Sequence, residues 1–264
     1  MWKRNLEYIS ITDHDTAIAY KELENVNVKE YYSGTIIPGI EISAIYKGVI
    51  IELLGYNIDY NIINEYLPYN LIKQRSRERK QHTLDVLISK LEDIGIIVDE
   101  DKLNKRFSAD VAVYYYLIQN IPDIKSKLPK ELMDNVNSFF RKGVSNPKSD
   151  FYVDNSKFYL SPKEASDLIH KAGGKVFLAH AYLYAFDDII KFIDELRNET
   201  VIDGLEVFHS SFSKEQSDSL ITYCKKNNLY MSGGSDYHGE AKPLIKLKIG
   251  SNNLNIGNDI LTWY

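Results

Sequence analysis

Four of the six histidines, His14, His180, His209 and His238, fall just beyond the C-terminal ends of expected strands. Carboxylates stand at the same level: Asp13 beside His14, Glu41 after the second strand, and Asp236 two residues before His238. A lone histidine at a strand end is more often a hydrogen-bonding residue, but four at equivalent places with acidic neighbours point to a metal site. Mixed imidazole and carboxylate donors suit zinc, manganese or iron. A carboxylate can also bridge two ions, as phosphoryl-transfer chemistry requires. A phosphate ester repels hydroxide; a cation neutralises its oxygens and makes a nucleophile available near neutral pH. His209 and His238 are candidates for proton transfer. Glu52 sits inside the apolar run Val49 to Tyr56, where a buried unpaired carboxylate is costly, so it is expected to be paired, coordinated or exposed. Arg141 and Lys142 are candidate phosphate contacts. The run Arg75, Arg77, Arg79, Lys80 reads as a solvated helix face, with a phosphate-binding face as the alternative, and His82 and His170 read as helix-surface residues.

These side chains need a scaffold that delivers them to one rim. Tyr8 to Thr12 reads as a strand, Thr16 to Leu23 as a short helix, Thr35 to Ser43 as a strand bent at Pro38-Gly39, and Gly48 to Tyr56 as a stronger strand. From Arg75 to Ile94 the apolar positions Leu84, Leu87, Ile88 and Leu91 have helical spacing. Helices are also expected around Asp110 to Asn120 and Pro129 to Lys142. Strand–helix alternation resumes after Tyr159. Ser161-Pro162-Lys163-Glu164 opens one helix with a capping box, and Ser213 with Gln216 caps another. Lys175 to Ala179, Gly204 to Phe208 and Leu229 to Ser232 are the later strands. Such alternation predicts a parallel sheet or barrel, whose chemistry gathers at the C-terminal ends of the strands. The expected division is a barrel from 1–65 and 154–264, with a helical insertion subdomain over 66–153.

The totals narrow the classes further. The chain has 264 residues, 44% hydrophobic, enough for one large α/β domain with a sizeable core. A formal charge of −5 argues against a protein that coats long duplex nucleic acid, though a short nucleotide in a local site remains compatible. One cysteine, Cys224, makes no internal disulfide and fits a reducing, cytoplasmic setting. No apolar run is long enough to span a bilayer, and Met1 to Tyr8 lacks the apolar core of a secretory signal.

The segments Ile11-Thr12-Asp13-His14-Asp15-Thr16, Pro38-Gly39-Ile40-Glu41-Ile42-Ser43, Leu54 to Asp59, Leu178-Ala179-His180, Gly204 to His209 and Gly234-Ser235-Asp236-Tyr237-His238 together resemble the PHP (polymerase and histidinol phosphatase) family. The helical stretch after Asp59 is similar to the bacterial branch that acts on nucleoside 3′,5′-bisphosphates and trims short RNA from the 5′ end. The resemblance implies a distorted (β/α)7 TIM-like barrel with up to three divalent metals on its rim. It places His14, Glu41, His180, Asp236 and His238 on metal-ligand positions, with Glu41 bridging, and leaves His209 as ligand-adjacent or substrate-facing. Asp13 is a supporting residue.

The departures are equally specific. The family's first strand, with its His-x-His and an acidic ligand, has no counterpart, and Trp2 to Glu7 reads as the end of the following helix. Glu52 stands where the branch usually has a histidine ligand, and Ala109-Asp110-Val111 stands in place of an Arg-Pro-His segment. Fewer than three ions are therefore expected. Three readings stay open at this point: a metal-dependent phosphoesterase acting on a small phosphorylated substrate, such as a nucleotide or a short RNA; a relative that binds metal, nucleotide or a partner without turnover; and a shortened reading of a longer active enzyme.

Overall fold

The computed structural model describes residues 6–239 and 256–264. Two short parallel strands, β1 (Tyr8–Ile9) and β2 (Thr35–Ile36), form a small sheet of their own. The main sheet runs in the order β3 (Gly39–Tyr46), β4 (Val49–Tyr56), β5 (Lys175–Leu178), β6 (Gly204–His209) and β7 (Tyr230–Gly234). Between the first pair of strands and the sheet comes α1 (Ile18–Leu23). The segment expected as one bent strand is thus divided at Ile37-Pro38. The segment Trp2 to Asn5, expected to be a helix end, lies outside the described residues.

One expectation needs correction. β5, β6 and β7 are parallel, but β3, β4 and β5 pair antiparallel. The cause is the turn between Tyr46 and Val49, where Lys47 and Gly48 have φ of 50° and 80°. A two-residue turn with both central residues at positive φ closes a hairpin, whereas a parallel crossover needs a dozen residues or more. β3 and β7 are the outer strands of this order among the described residues; isolated parallel bridges join His14 to Glu41 and Ala44 to Leu160.

Between β4 and β5 the chain is helical: α2 (Tyr60–Tyr66), α3 (Tyr69–Asp93), α4 (Ala109–Asn120), and the short α5 (Ile124–Lys127) and α6 (Val136–Ser138). The helix expected over Pro129 to Lys142 is broken into a 3-10 turn, α6 and a wide turn over Phe139–Val144. Leu87, Leu91, Val113, Leu117, Met133 and Phe139 form a hydrophobic cluster of their own there. α7 (Pro162–Lys171), α8 (Ile189–Glu199) and α9 (Lys214–Asn227) then alternate with the later strands. Both expected capping boxes are present, Ser161 with Glu164 and Ser213 with Gln216.

Strand alternation decides what faces the site. Ile40, Ile42, Ile51, Leu53, Val176, Leu178, Leu205 and Val207 pack under α7, α8 and α9. Their neighbours in sequence, Glu41, Ser43, Glu52, Leu54, Tyr56, Phe177 and Glu206, point to the other side, because successive side chains leave a strand on opposite faces. The lower part of that side is apolar: Trp263 stacks on Tyr56 with ring centroids 5.1 Å apart and meets Phe177 at the same distance. The upper part is acidic.

Candidate metal centre

Glu41 and Glu52 are brought together by hairpin register, since Glu41 lies opposite Leu54 and Ser43 opposite Glu52. The loop after β1 is fastened to β3: the Asp15 N–H donates to Glu41 O at 2.8 Å, Glu41 N–H to Asp13 O at 3.2 Å, and Ser43 N–H to Asp15 Oδ1 at 2.8 Å. Asp13 thus supports the loop through its backbone. His14 Nδ1 reaches to 3.4 Å from Glu41 Oε2 and 3.6 Å from Glu52 Oε1. From the end of β5, His180 Nε2 lies 3.2 Å from Glu41 Oε1 and 3.1 Å from Glu52 Oε2. Donor atoms of His14, Glu41 and Glu52 all fall within 4.8 Å of one another.

His180 is held in place by Glu206, whose Oε2 accepts the His180 N–H at 2.8 Å. Glu206 was not singled out from the sequence, although it sits in the middle of an apolar strand as Glu52 does. The same signal would have found it. Burial raises its pKa, against the pull of the His209 and His180 charges and the His180 N–H. Asp15, His180 and Asp236, three non-glycine residues at the site, have φ of 56°, 21° and 54°. Such left-handed conformations concentrate at functional sites, where the surroundings over-determine the backbone.

A second group lies alongside. His209 Nε2 is 3.7 Å from Asp236 Oδ2, and His238 Nδ1 is 3.2 Å from Asp236 Oδ1. The rings of His180 and His209 are 5.4 Å apart, and those of His14 and His238 5.8 Å. The tautomers follow from the partners. His209 Nδ1 accepts the Ser211 N–H at 3.2 Å, so the proton of its neutral ring sits on Nε2, a donor with no hydrogen-bond acceptor in reach. His238 Nδ1 faces the Asp236 carbonyl at 2.9 Å and must donate, which leaves Nε2 as the basic nitrogen.

The charge balance indicates what the first cluster accepts. Two carboxylates share one buried imidazole, and His180 Nδ1 is buried without a partner. Burial works against charge on both sides, lifting a carboxyl and lowering an imidazole. Here the two glutamates outweigh it and raise His180, while His180, His14 and Arg141 depress Glu52. His180 and Glu52 thus support each other's charge, and Arg141 adds a positive charge 4.0 Å from Glu52 Oε2. The His14 imidazole and one oxygen each of Glu41 and Glu52 are also a donor set suited to a divalent cation, and His180 stands on the other oxygens of the two carboxylates. The expectation for Glu52 is therefore met in its pairing half. Tyr184 closes the cluster, its hydroxyl accepting the Glu52 N–H at 2.8 Å, and burial raises its pKa.

Not every candidate converges. Lys142 is exposed and pairs with Asp134 at 3.8 Å instead of with the cluster. The arginine run is only partly a solvated face. Arg77 is exposed, but Arg75 and Arg79, one helical turn apart, are half-buried against a cavity beside His14. His82, expected on the helix surface, is half-buried, its Nε2 3.0 Å from Asp154 O. His170, expected to be a surface residue, is half-buried and bonds Asp203 at 2.7 Å.

No protein-family model matches the chain. Its fold is shared by metal-dependent phosphoesterase and amidohydrolase structures. A Bifidobacterium adolescentis protein, provisionally described as a metal-dependent phosphoesterase, aligns with a TM-score of 0.60 at 24% identity, over 97% of this chain and 84% of that one. An amidohydrolase from Chromobacterium violaceum aligns with a TM-score of 0.61 at 19% identity, over 89% of this chain and 78% of that one. Among curated proteins, the chain is a homologue of the 5'-3' exoribonuclease Rnm of Escherichia coli, 24% identical over 242 residues, 90% of this chain and 77% of the relative. The 5'-3' exoribonuclease of Haemophilus influenzae is 24% identical over 240 residues, 90% of this chain and 81% of that protein. The resemblance drawn from the motifs holds.

Proposed function

We infer that the chain is a hydrolase, a metal-dependent phosphoesterase that cleaves a phosphate ester on a nucleotide, such as a nucleoside 3′,5′-bisphosphate or the 5′ end of a short RNA. The observation that carries this reading is the meeting of His14, Glu41, Glu52 and His180 on one side of the sheet, with donor atoms of the first three within 4.8 Å of one another. These four residues would hold one divalent ion, manganese, zinc or iron, and Asp236 and His238 are the ligand candidates for another. A bound ion would neutralise phosphoryl oxygens and acidify a water. His209, with its proton on Nε2, would donate toward the substrate, while His238 Nε2, its one basic nitrogen, either holds that second ion or moves a proton at the leaving oxygen. Arg141, beside Glu52, offers a guanidinium to a phosphoryl oxygen. The scaffold is read as a distorted (β/α)7 barrel of PHP type, with 66–153 as a helical insertion subdomain; the separate hydrophobic cluster of the helical region supports that division.

The test is release of inorganic phosphate or 5′-mononucleotide from adenosine 3′,5′-bisphosphate and short 5′-phosphorylated RNA, with manganese, zinc and iron in turn. Turnover that EDTA abolishes supports the reading. Folded protein that turns over none of these with any of the ions refutes it in favour of binding without hydrolysis. Among the described residues no helix is long and apolar enough to cross a membrane.

A further inference from the structure

β5 and β6 pair only over Phe177–Leu178 and Gly204–Leu205. Past that point the Ala179 N–H donates to Glu52 O at 3.0 Å, and His180 turns away from both neighbouring strands at φ 21°. A residue with a side chain holds such a backbone only under constraint. The His180 carbonyl accepts the Leu183 N–H at 2.9 Å, and its N–H, freed from the ladder, donates to Glu206 Oε2 at 2.8 Å. A side chain thus stands in for the missing strand partner of a buried N–H, which would otherwise be costly to leave unmade.

Glu206 reaches that place through an irregularity in its own strand. It sits three residues before His209, and strict alternation puts residues an odd number apart on opposite faces. The register of β6 on β7 slips here: Glu206 pairs with Ser232, but Phe208 pairs with Gly233. Such a slip resets the phase and re-aims the side chains beyond it. Glu206 and His209 therefore both face the rim, where the His209 ring lies 5.4 Å from that of His180. Glu206 is 4% exposed, and its second oxygen lies against Gly234, where an added Cβ would stand 3.3 Å from Oε1. One buried carboxylate is thus wedged between the strand ends that carry His180, His209 and Asp236.

We propose that Glu206 is a positioning residue of the metal centre: its hydrogen bond fixes the constrained His180 backbone and so sets the imidazole between Glu41 and Glu52. This rests on the reading of the rim as a metal centre. The role needs an acceptor oxygen at the right reach, and the negative charge is secondary to it. A ligand held by a partner behind it keeps its geometry as an ion comes and goes.

Two conservative variants separate reach from charge. Glu206→Gln keeps an oxygen at the same reach and loses the charge, whereas Glu206→Asp keeps the charge and withdraws the oxygens by one methylene. Titration calorimetry of the full chain reads manganese affinity, and NMR of the metal-free chain reads the His180 ring, assigned through His180→Ala. Glu206→Asp is expected to lower manganese affinity by at least about tenfold, as loss of a partner behind a metal ligand does, and to move the His180 resonances. Glu206→Gln should stay close to wild type in both. In a His180→Ala background, Glu206→Asp should lower affinity no further, because the two residues act through one contact. Should Glu206→Asp melt early, Gly234→Ala, which crowds Glu206 Oε1, takes its place and should move the same resonances. Unmoved His180 resonances in these folded variants overturn the proposal. Affinity lowered by Glu206→Gln and kept by Glu206→Asp overturns it in favour of charge alone, and additive losses in the double variant overturn it in favour of a direct ligand. Resonances that move in a chain that binds no manganese leave the positioning role standing and refute the metal reading. Manganese affinity lowered by His180→Ala and untouched by Glu206→Asp does the reverse.

Discussion

β6 carries a histidine–carboxylate cluster at each end, and the two are built on opposite terms. At its start, Asp203 accepts the Val176 N–H at 2.8 Å and His170 Nε2 at 2.7 Å, with Lys175 3.6 Å away. Ser166 lies 3.4 Å from His170 Nδ1, which makes a trio with the residue types of a nucleophilic triad. Yet Ser166 is 1% exposed and its hydroxyl donates to Val201 O. One carboxylate there meets its cations and every polar atom has a partner. At the other end, Glu41, Glu52 and Glu206 crowd around His180, and nitrogens of His180 and His209 are buried without hydrogen bonds. Satisfied clusters stabilise a fold; unsatisfied ones await a ligand.

The comparison can be broken most forcefully at the rim. His180→Ala or Glu41→Ala should lower manganese affinity by at least about a hundredfold, since loss of mere supporting residues around a metal already costs up to that much. Titration calorimetry reads it, and unchanged affinity would remove the basis for a site there. Next comes ligand-linked stability. Manganese at a hundred times its dissociation constant should stabilise the wild type by about 2.7 kcal/mol, seen as a raised melting temperature, and leave Glu41→Ala unmoved. At the satisfied end, His170→Ala should cost about 1–3 kcal/mol of stability, because Asp203 loses its hydrogen-bond partner, while manganese affinity stays at the wild-type value. A drop in that affinity equal to the rim variants' would erase the contrast. The smallest effect concerns Cys224, whose thiol burial pushes up to about 12, against the Leu205 backbone and Arg197. At pH 8 it is protonated, and it ionises only far above that. Alkylation at pH 8 should therefore be negligible in the native state and complete in denaturant, by mass spectrometry.

The rim was legible because strand-end residues keep their place whatever the strands' order. His180, Asp236 and His238 lie past the ends of β5 and β7 as expected, whereas Glu41, expected after a strand, lies inside β3. Helix starts were equally readable, since Ser161 with Glu164 and Ser213 with Gln216 are local chemistry. Sheet direction was not. Lys47-Gly48 holds a hairpin signal, but the strand–helix rhythm of the second half predicts parallel strands and says nothing about one early turn. Which arginines of α3 turn inward depends on where the cavity lies, which only packing decides. The tautomer of His209 was likewise beyond sequence, since it is set by a backbone N–H two residues on. The positive φ of Asp15, His180 and Asp236 is imposed by contacts from distant segments.

Trp263, resting on Tyr56 and Phe177, has a kinetic consequence. Its ring joins the last third of the chain to the first, and its indole N–H donates to Met231 O at 2.9 Å. Contacts across such sequence distances form late and slow the search for the native state. The floor beneath the acidic rim is therefore expected to form after the local hairpin and helices, and Trp263 fluorescence in a Trp2→Phe background should follow that step of refolding.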